Sequence, residues 1–268
     1  GIVMSRTGLL DGFLAVLVTG AFGALVLDRD GVQARLDRAT AVDRWGPRLG
    51  PRGWRMATGV LLGLACGVKW SGLWFVAVFG LLSVGWDAAA RRRAGVRSWW
   101  QGALGRDAAP AFVSIVVVGA LTYVASWWSW FAHSDAYFRT WAQRHPGEGV
   151  TWLPDVLRSF AHYHSSVWDF HTHLDADHTY QAPAWGWLLQ WRPTSFFYET
   201  PDPSACGAAK CSQAITSLGN PLVWWLGSAA LLAAVWWVVR HRDGAALAAV
   251  AGVAAGWLPW FLFPDRRS

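Results

Sequence analysis

The chain has 268 residues, of which 54% are hydrophobic and 15% charged, with 22 tryptophans and a formal net charge of +6. So apolar a composition excludes an ordinary soluble globular domain and points to a membrane protein. The positive charge is no sign of nucleic acid, because the arginines cluster between apolar runs, as the positive-inside bias of multi-pass proteins requires.

In chain order, the first apolar run covers about 9–27 and begins almost at once, with no initiator Met and no signal peptide. The last run, about 245–263, stops just short of Ser268. This reads as an internal fragment of a longer polytopic protein. Between them lie runs at about 56–86, 110–131 and 221–239. One crossing needs about 20 residues, so four of the five runs fit one span each. The run 56–86 does not. It is flanked by residues 28–55, with seven Arg and four Asp, and residues 87–109, with five Arg and two Asp. Both flanks read as cytoplasmic, so the run must leave and return on one side. We expect two short helices, about 56–68 and 70–86, breaking near Gly67–Gly72 with Lys69 at the apex. Such breaks are tolerated where they line a cavity inside the protein.

The run 110–131 then crosses outward. Residues 133–220 follow as a long external loop with five Lys/Arg, eight Asp/Glu and seven of the eight histidines. Eleven of the 22 tryptophans lie between Trp127 and Trp225, and Trp favours the membrane interface. Within the loop an amphipathic helix is expected at Asp155–His164 after Pro154, and a Trp-rich interfacial segment at Ala184–Trp191. The expected organisation is all-α and polytopic: membrane helices in 1–131, an external loop with short helices in 132–220, and membrane helices in 221–268. By parity Arg6, Asp11, the Lys69 apex and the long loop converge on the external face.

Several constellations there allow more than one reading. Lys69, in GVKWSGL, is either a phosphate ligand or a lysine that snorkels or pairs with an acid. Arg6 and Asp11 are five residues apart and suit a salt bridge, a helix cap or a substrate contact. His171, His173 and His178, with Asp169, Asp175 and Asp177, could ligate a divalent metal, but an HExxH motif is absent. A hydrogen-bonded loop network is the alternative, with no cofactor. Trp185, Trp187 and Trp191 form either an interfacial anchor or a stacking platform for sugar or peptide. Arg192, fixed before Pro193, would meet a phosphate or lipid headgroups. Ser, His and Asp occur without a GxSxG elbow, so a hydrolase triad is discounted. Cys66 reads as a small buried hydrophobe, whereas Cys206 and Cys211 flank a short polar loop and suit a disulfide if it faces an oxidising exterior.

These residues also resemble a family. SRTGLLDGF (5–13), GVKWSGL (67–73), the YH…FH…H-Y-Q-A-P-x-W-x-W run (163–187), WRP (191–193), AITSLGNPLVWW (214–225) and WLPWFLFPDR (257–266) look like bacterial protein O-mannosyltransferases. The resemblance covers nearly the whole chain in one order. It implies a GT-C-class helical bundle in the plasma membrane. Such an enzyme moves mannose from a polyprenyl-phosphate donor to Ser or Thr hydroxyls of exported proteins on the external face, with inversion. It implies donor-phosphate contacts at Lys69, Arg192 and Arg6. It suggests sugar or acceptor contacts at His171, His178, Tyr180, Gln181 and Trp185, with Asp11, Cys206 and Cys211 structural. It places the catalytic base in an acidic Asp-Glu motif upstream, so the fragment should be inactive alone. Membrane lipids and the export machinery are the further expected partners. Rival readings are a GT-C transferase acting on a lipid or cell-wall glycan, and a non-enzymatic transporter or scaffold. A transporter should show two related halves, and no internal repeat is visible.

Overall fold

The computed structural model describes residues 10–38, 43–173, 182–192, 194–201, 206–208 and 210–262. The chain divides into two units, Gly1–Asp169 and Phe170–Ser268. The protein is an all-α polytopic membrane protein: five of the described helices are long and apolar enough to cross a bilayer, and a sixth, Gly53–Val68, is apolar but shorter.

The first unit is built on four helices: α1 (Asp11–Arg38), α2 (Gly53–Val68), α3 (Gly72–Arg93) and α4 (Trp99–Ser126). α1 packs along α2 and α3, and α2 packs along α4. At 1.5 Å per residue, α1 is about 42 Å long, more than a bilayer's hydrocarbon core, and α2 only about 24 Å. α3 runs on past Trp86 to Arg93, and α4 starts at Trp99, so the arginine-rich stretch 87–109 is mostly helix rather than loop.

The charges explain how these helices outrun the apolar sequence. Arg52 forms buried ion pairs with Asp28 of α1 and Asp87 of α3, and Arg55 lies 3.5 Å from Asp87. Arg91 is fully buried, with Nε 2.7 Å from Asp107 of α4 and Nη1 donating to the Trp45 carbonyl. Acid and base therefore neutralise one another between helices instead of decorating a solvated loop.

α2 and α4 approach at backbone distance. A Cβ on Gly59 would lie 2.0 Å from the Ser114 carbonyl oxygen, and one on Gly63 would lie 2.3 Å from that of Gly119. α4 accommodates this contact, and Pro110, with two π-helical stretches, Ala103–Ala108 and Val113–Val117.

After Trp127 come the short α5 (Trp128–Ala132) and α6 (Trp141–Arg144), then α7 (Asp155–His173). α7 runs nine residues beyond the expected Asp155–His164 segment and carries the chain into the second unit. There the 3-10 turn Ala184–Leu189 is pinned by side chains of α8 (Pro221–His241) and α9 (Gly244–Trp257). Trp225 donates to the Leu189 carbonyl, Ser228 to that of Leu188, and Trp257 to that of Ala184. Asn220 and Asp243 cap the starts of α8 and α9 with side-chain oxygens. Between turn and α8 the sequence reading expected only short helices. The structure instead has an antiparallel hairpin, β1 (Thr194–Glu199) with β2 (Gln213–Ser217), bulged between Ser195 and Phe197. Phe, Tyr, Thr and Ile in these segments favour a pleated strand, but so short a pattern is hard to separate from aromatic interfacial sequence. Cys206 and Cys211, in the hairpin connection, form a disulfide with Cα atoms 6.6 Å apart.

Candidate functional site

The site begins where α2 stops. Lys69 has extended backbone and its N–H closes the last turn on Ala65. The chain re-enters a helix at Gly72, where a Cβ would lie 2.9 Å from the Cys66 nitrogen. Only glycine lets the two helix ends meet so closely. Lys69 is thus held at the apex of a tight helical break, and its Nζ lies 2.9 Å from Asp11 Oδ1 at the start of α1. Both side chains are about half exposed, 42% and 58%. An exposed pair of this kind is worth only about 0–1 kcal/mol, so the ammonium is held in place yet free to exchange its partner.

One residue on, Trp70, still in the break, begins a hydrogen-bonded chain to two further helices. Its Nε1 donates to Tyr123 Oη of α4 at 3.1 Å, and Tyr123 Oη lies 2.6 Å from His164 Nε2 of α7. His164 Nδ1 lies 2.8 Å from the Phe160 carbonyl oxygen, which can only accept. Nδ1 therefore donates to that carbonyl, and Nε2 shares the second hydrogen bond with the tyrosine hydroxyl, which also accepts from Trp70. His164 also stacks on Trp70, with ring centroids 5.6 Å apart. Trp127, Trp130, Phe160 and Tyr163 form an edge-to-face cluster behind this chain and fix α7 against α4 and α5.

These elements line an open apolar pocket of about 360 Å³, walled by Gly63, Cys66, Val76, Val116, Ala120 and Tyr123, with Trp70 and His164. A second, more polar recess of about 530 Å³ lies by Ser129, Trp130, His133 and Asp135. Near α6, Trp141 stacks on both His162 (3.8 Å between centroids) and His145 (4.9 Å). Burial, and then the neighbouring His145, lower the His162 pKa, so that ring stays neutral at neutral pH. At the opposite end of the unit, the Trp45 backbone N–H and then the Arg106 guanidinium hold Asp43 below the usual carboxylate range.

The expected site residues are distributed unevenly. Lys69 and Asp11 come together in the first unit. His171 is exposed on the last turn of α7, its ring 5.4 Å from Phe170. Trp185 is exposed, 6.4 Å from Trp191, and Arg192 follows on the second unit's surface. Arg6, His178, Tyr180 and Gln181 lie outside the described residues. Among the described residues no three His, Cys, Asp or Glu side chains converge as metal ligands. Sequence reasoning missed Tyr123 and His164, although Trp70 and His164 both sit inside segments singled out by composition. Tyr123 carries no local signal: it is a tyrosine in an apolar helix, and only the fold shows what it faces.

Residues 156–263 match the C-terminal four TMM region of protein-O-mannosyltransferase. Over 99% of its length the chain is similar to curated relatives named polyprenol-phosphate-mannose–protein mannosyltransferase. It is 39% identical over 275 residues to one from Mycobacterium tuberculosis (strain CDC 1551 / Oshkosh). It is 40% identical over 275 residues to one from Mycolicibacterium smegmatis (strain MKD8), and 37% identical over 278 residues to one from Corynebacterium glutamicum. The chain spans about half the length of these relatives, 53%. No solved structure matches it.

Proposed function

The chain is homologous to the protein O-mannosyltransferases, and from that premise we propose that it takes part in moving mannose from a polyprenyl-phosphate donor to Ser or Thr hydroxyls of exported proteins. The observation that carries this reading to particular residues is the Lys69 ammonium, at a helix break and, among the described residues, paired with a half-exposed carboxylate. In the reaction the acceptor oxygen bonds to C1 of mannose as the bond from C1 to the phosphate oxygen breaks. The hydroxyl proton passes to a carboxylate base, and the electron pair leaves on polyprenyl phosphate. Attack opposite the leaving group inverts C1. A phosphate that gains charge as it departs is stabilised by a fixed cation, the role assigned to Lys69. The resemblance places the base in the family's Asp-Glu motif, which this sequence does not contain.

The positive-inside bias supports a plasma-membrane enzyme with the Lys69 end of the first unit external, where exported chains and lipid headgroups are both within reach. The test is mannose transfer in membranes bearing the natural protein, with labelled polyprenyl-phosphate-mannose and Ser/Thr peptides offered beside glycolipids. Label recovered on peptide and released by alkaline β-elimination is expected, with the anomer opposite to the donor's. Label found only in glycolipid would contradict the protein acceptor.

A further inference from the structure

The break that carries Lys69 consists of Lys69, Trp70 and Ser71, between the end of α2 at Val68 and the start of α3 at Gly72. The Gly72 N–H closes it into a turn by donating to the Lys69 carbonyl, and the Leu73 N–H donates to that of Trp70. Among the described residues, two side chains tie this turn to other helices. Lys69 reaches Asp11 of α1, and Trp70 reaches Tyr123 of α4 and, through it, His164 of α7. The two ties differ in kind. The first joins half-exposed charges that compete with water for each other. The second is partly buried, continues onto the Phe160 carbonyl and is backed by the stacking of His164 on Trp70.

A phosphate arriving at Lys69 competes with Asp11 for the ammonium, so its binding weakens the first tie. Among the described side chains, the Trp70 tie is then the one that keeps residues 69–71 in place. Tyr123 is its hub, because one hydroxyl accepts from Trp70 and meets His164 Nε2. Phenylalanine at 123 would fill nearly the same space and deprive both of this partner. We propose that Tyr123 and His164 are positioning residues for phosphate capture. Acting through Trp70, they hold the turn in the conformation that presents the Lys69 ammonium, without contacting the phosphate themselves. A cation preorganised in this way needs no rearrangement as charge develops on the leaving group, and a displacement of about 1 Å in such a group is costly in rate. The proposal rests on the mannosyltransferase reading, since the phosphate is the donor's, and adds to it the device that holds the cation still.

The test uses the natural protein reconstituted in liposomes, with polyprenyl-phosphate-mannose and a Ser/Thr peptide. Tyr123→Phe is expected to lower kcat/KM for the donor about threefold to tenfold and to leave the KM for the peptide unchanged. His164→Leu should do the same, and His164→Gln, whose amide can meet the tyrosine hydroxyl, should recover part of the loss; this pair carries the contrast if Tyr123→Phe folds poorly. The decisive comparison is made in the Lys69→Met background, where Tyr123→Phe should cost nothing further. Losses that multiply, or an unchanged kcat/KM in Tyr123→Phe, would overturn the proposal. A second arm does not depend on transfer. Lysines of the natural protein in neutral detergent are dimethylated with a 13C label, and the Lys69 signal is identified by its loss in Lys69→Arg. Titration with farnesyl phosphate, which carries no mannose, should shift that signal, with a midpoint about threefold to tenfold higher in Tyr123→Phe. Equal midpoints, or a Lys69 signal indifferent to farnesyl phosphate, would sink the idea. If no donor supports transfer while the midpoints differ as expected, the mannosyltransferase reading fails and the positioning of an anion-binding lysine stands.

Discussion

At Asp87 the burial of charge outweighs the reading of acids and arginines as loop decoration. Its carboxylate is 1% exposed and meets both Arg52 and Arg55. Arg52 keeps a second acid, Asp28, but Arg55 has no other carboxylate within bonding distance among the described residues, and its Nε is buried without a partner. Asp87→Asn should therefore leave Arg55 as a buried, uncompensated charge. Removing one partner of such a pair costs about 3–5 kcal/mol, so the purified protein should unfold at clearly lower temperature in detergent. Asp37→Asn, on an exposed acid whose partner among the described residues is Gln33, should change little. Equal, small shifts for both would show that the buried network is not what ties α1, α2 and α3 together. None of this was legible beforehand, because a charge count in 28–55 and 87–109 records sign and not partner. Lys69 was more legible: a lone lysine within an apolar run needs an acid or a route to water, and the structure supplies both.

At the level of elements, α2 and α4 pair at backbone distance. Gly59 and Gly63 are four apart and let the α4 backbone come within contact of α2. Gly80 and Gly85 of α3 face open space. In a helix, alanine is better than glycine by about 1 kcal/mol, and only a steric conflict reverses that. Gly59→Ala should thus destabilise by about 1–3 kcal/mol, since backbone rather than a flexible side chain must give way. Gly80→Ala should be neutral or mildly stabilising, and thermal unfolding of the two variants checks the contrast. The Gly67–Gly72 spacing marks the place where α2 ends and α3 begins, because glycine and a polar residue interrupt an otherwise continuous apolar run. The helix ends were less legible. α2 starts at Gly53 and α3 reaches Arg93 because paired charges let a helix continue where hydropathy alone would end it. The β1–β2 hairpin escaped for a different reason: five or six residues of mixed aromatic and polar character satisfy strand and interfacial patterns equally.

For the whole molecule, the first unit has two chemically distinct ends. One carries Asp11, Lys69 and the aromatic cluster around Trp127; the other carries the buried arginines and the Arg92–Arg93 terminus of α3. By the positive-inside bias, exposed Ala94 is expected inside and exposed Ser134 outside. A membrane-impermeant thiol reagent should label Ser134→Cys in intact cells and reach Ala94→Cys only after lysis; the reverse pattern would invert the assignment. α8 has no buried residue, so its apolar surface is available to lipid or to neighbouring protein, in keeping with a chain that spans about half the length of its relatives. The central claim is that Lys69 stabilises the departing phosphate, and transfer kinetics of Lys69 variants in the natural protein test it most directly. A charge-assisted contact of this kind is worth roughly 1.5–3 kcal/mol, so Lys69→Met should lower kcat/KM for mannosyl transfer about 10- to 100-fold, with Lys69→Arg recovering part of the loss and insertion unchanged. Near-normal transfer by Lys69→Met at both saturating and subsaturating donor would contradict the account and leave Lys69 as no more than the partner of Asp11.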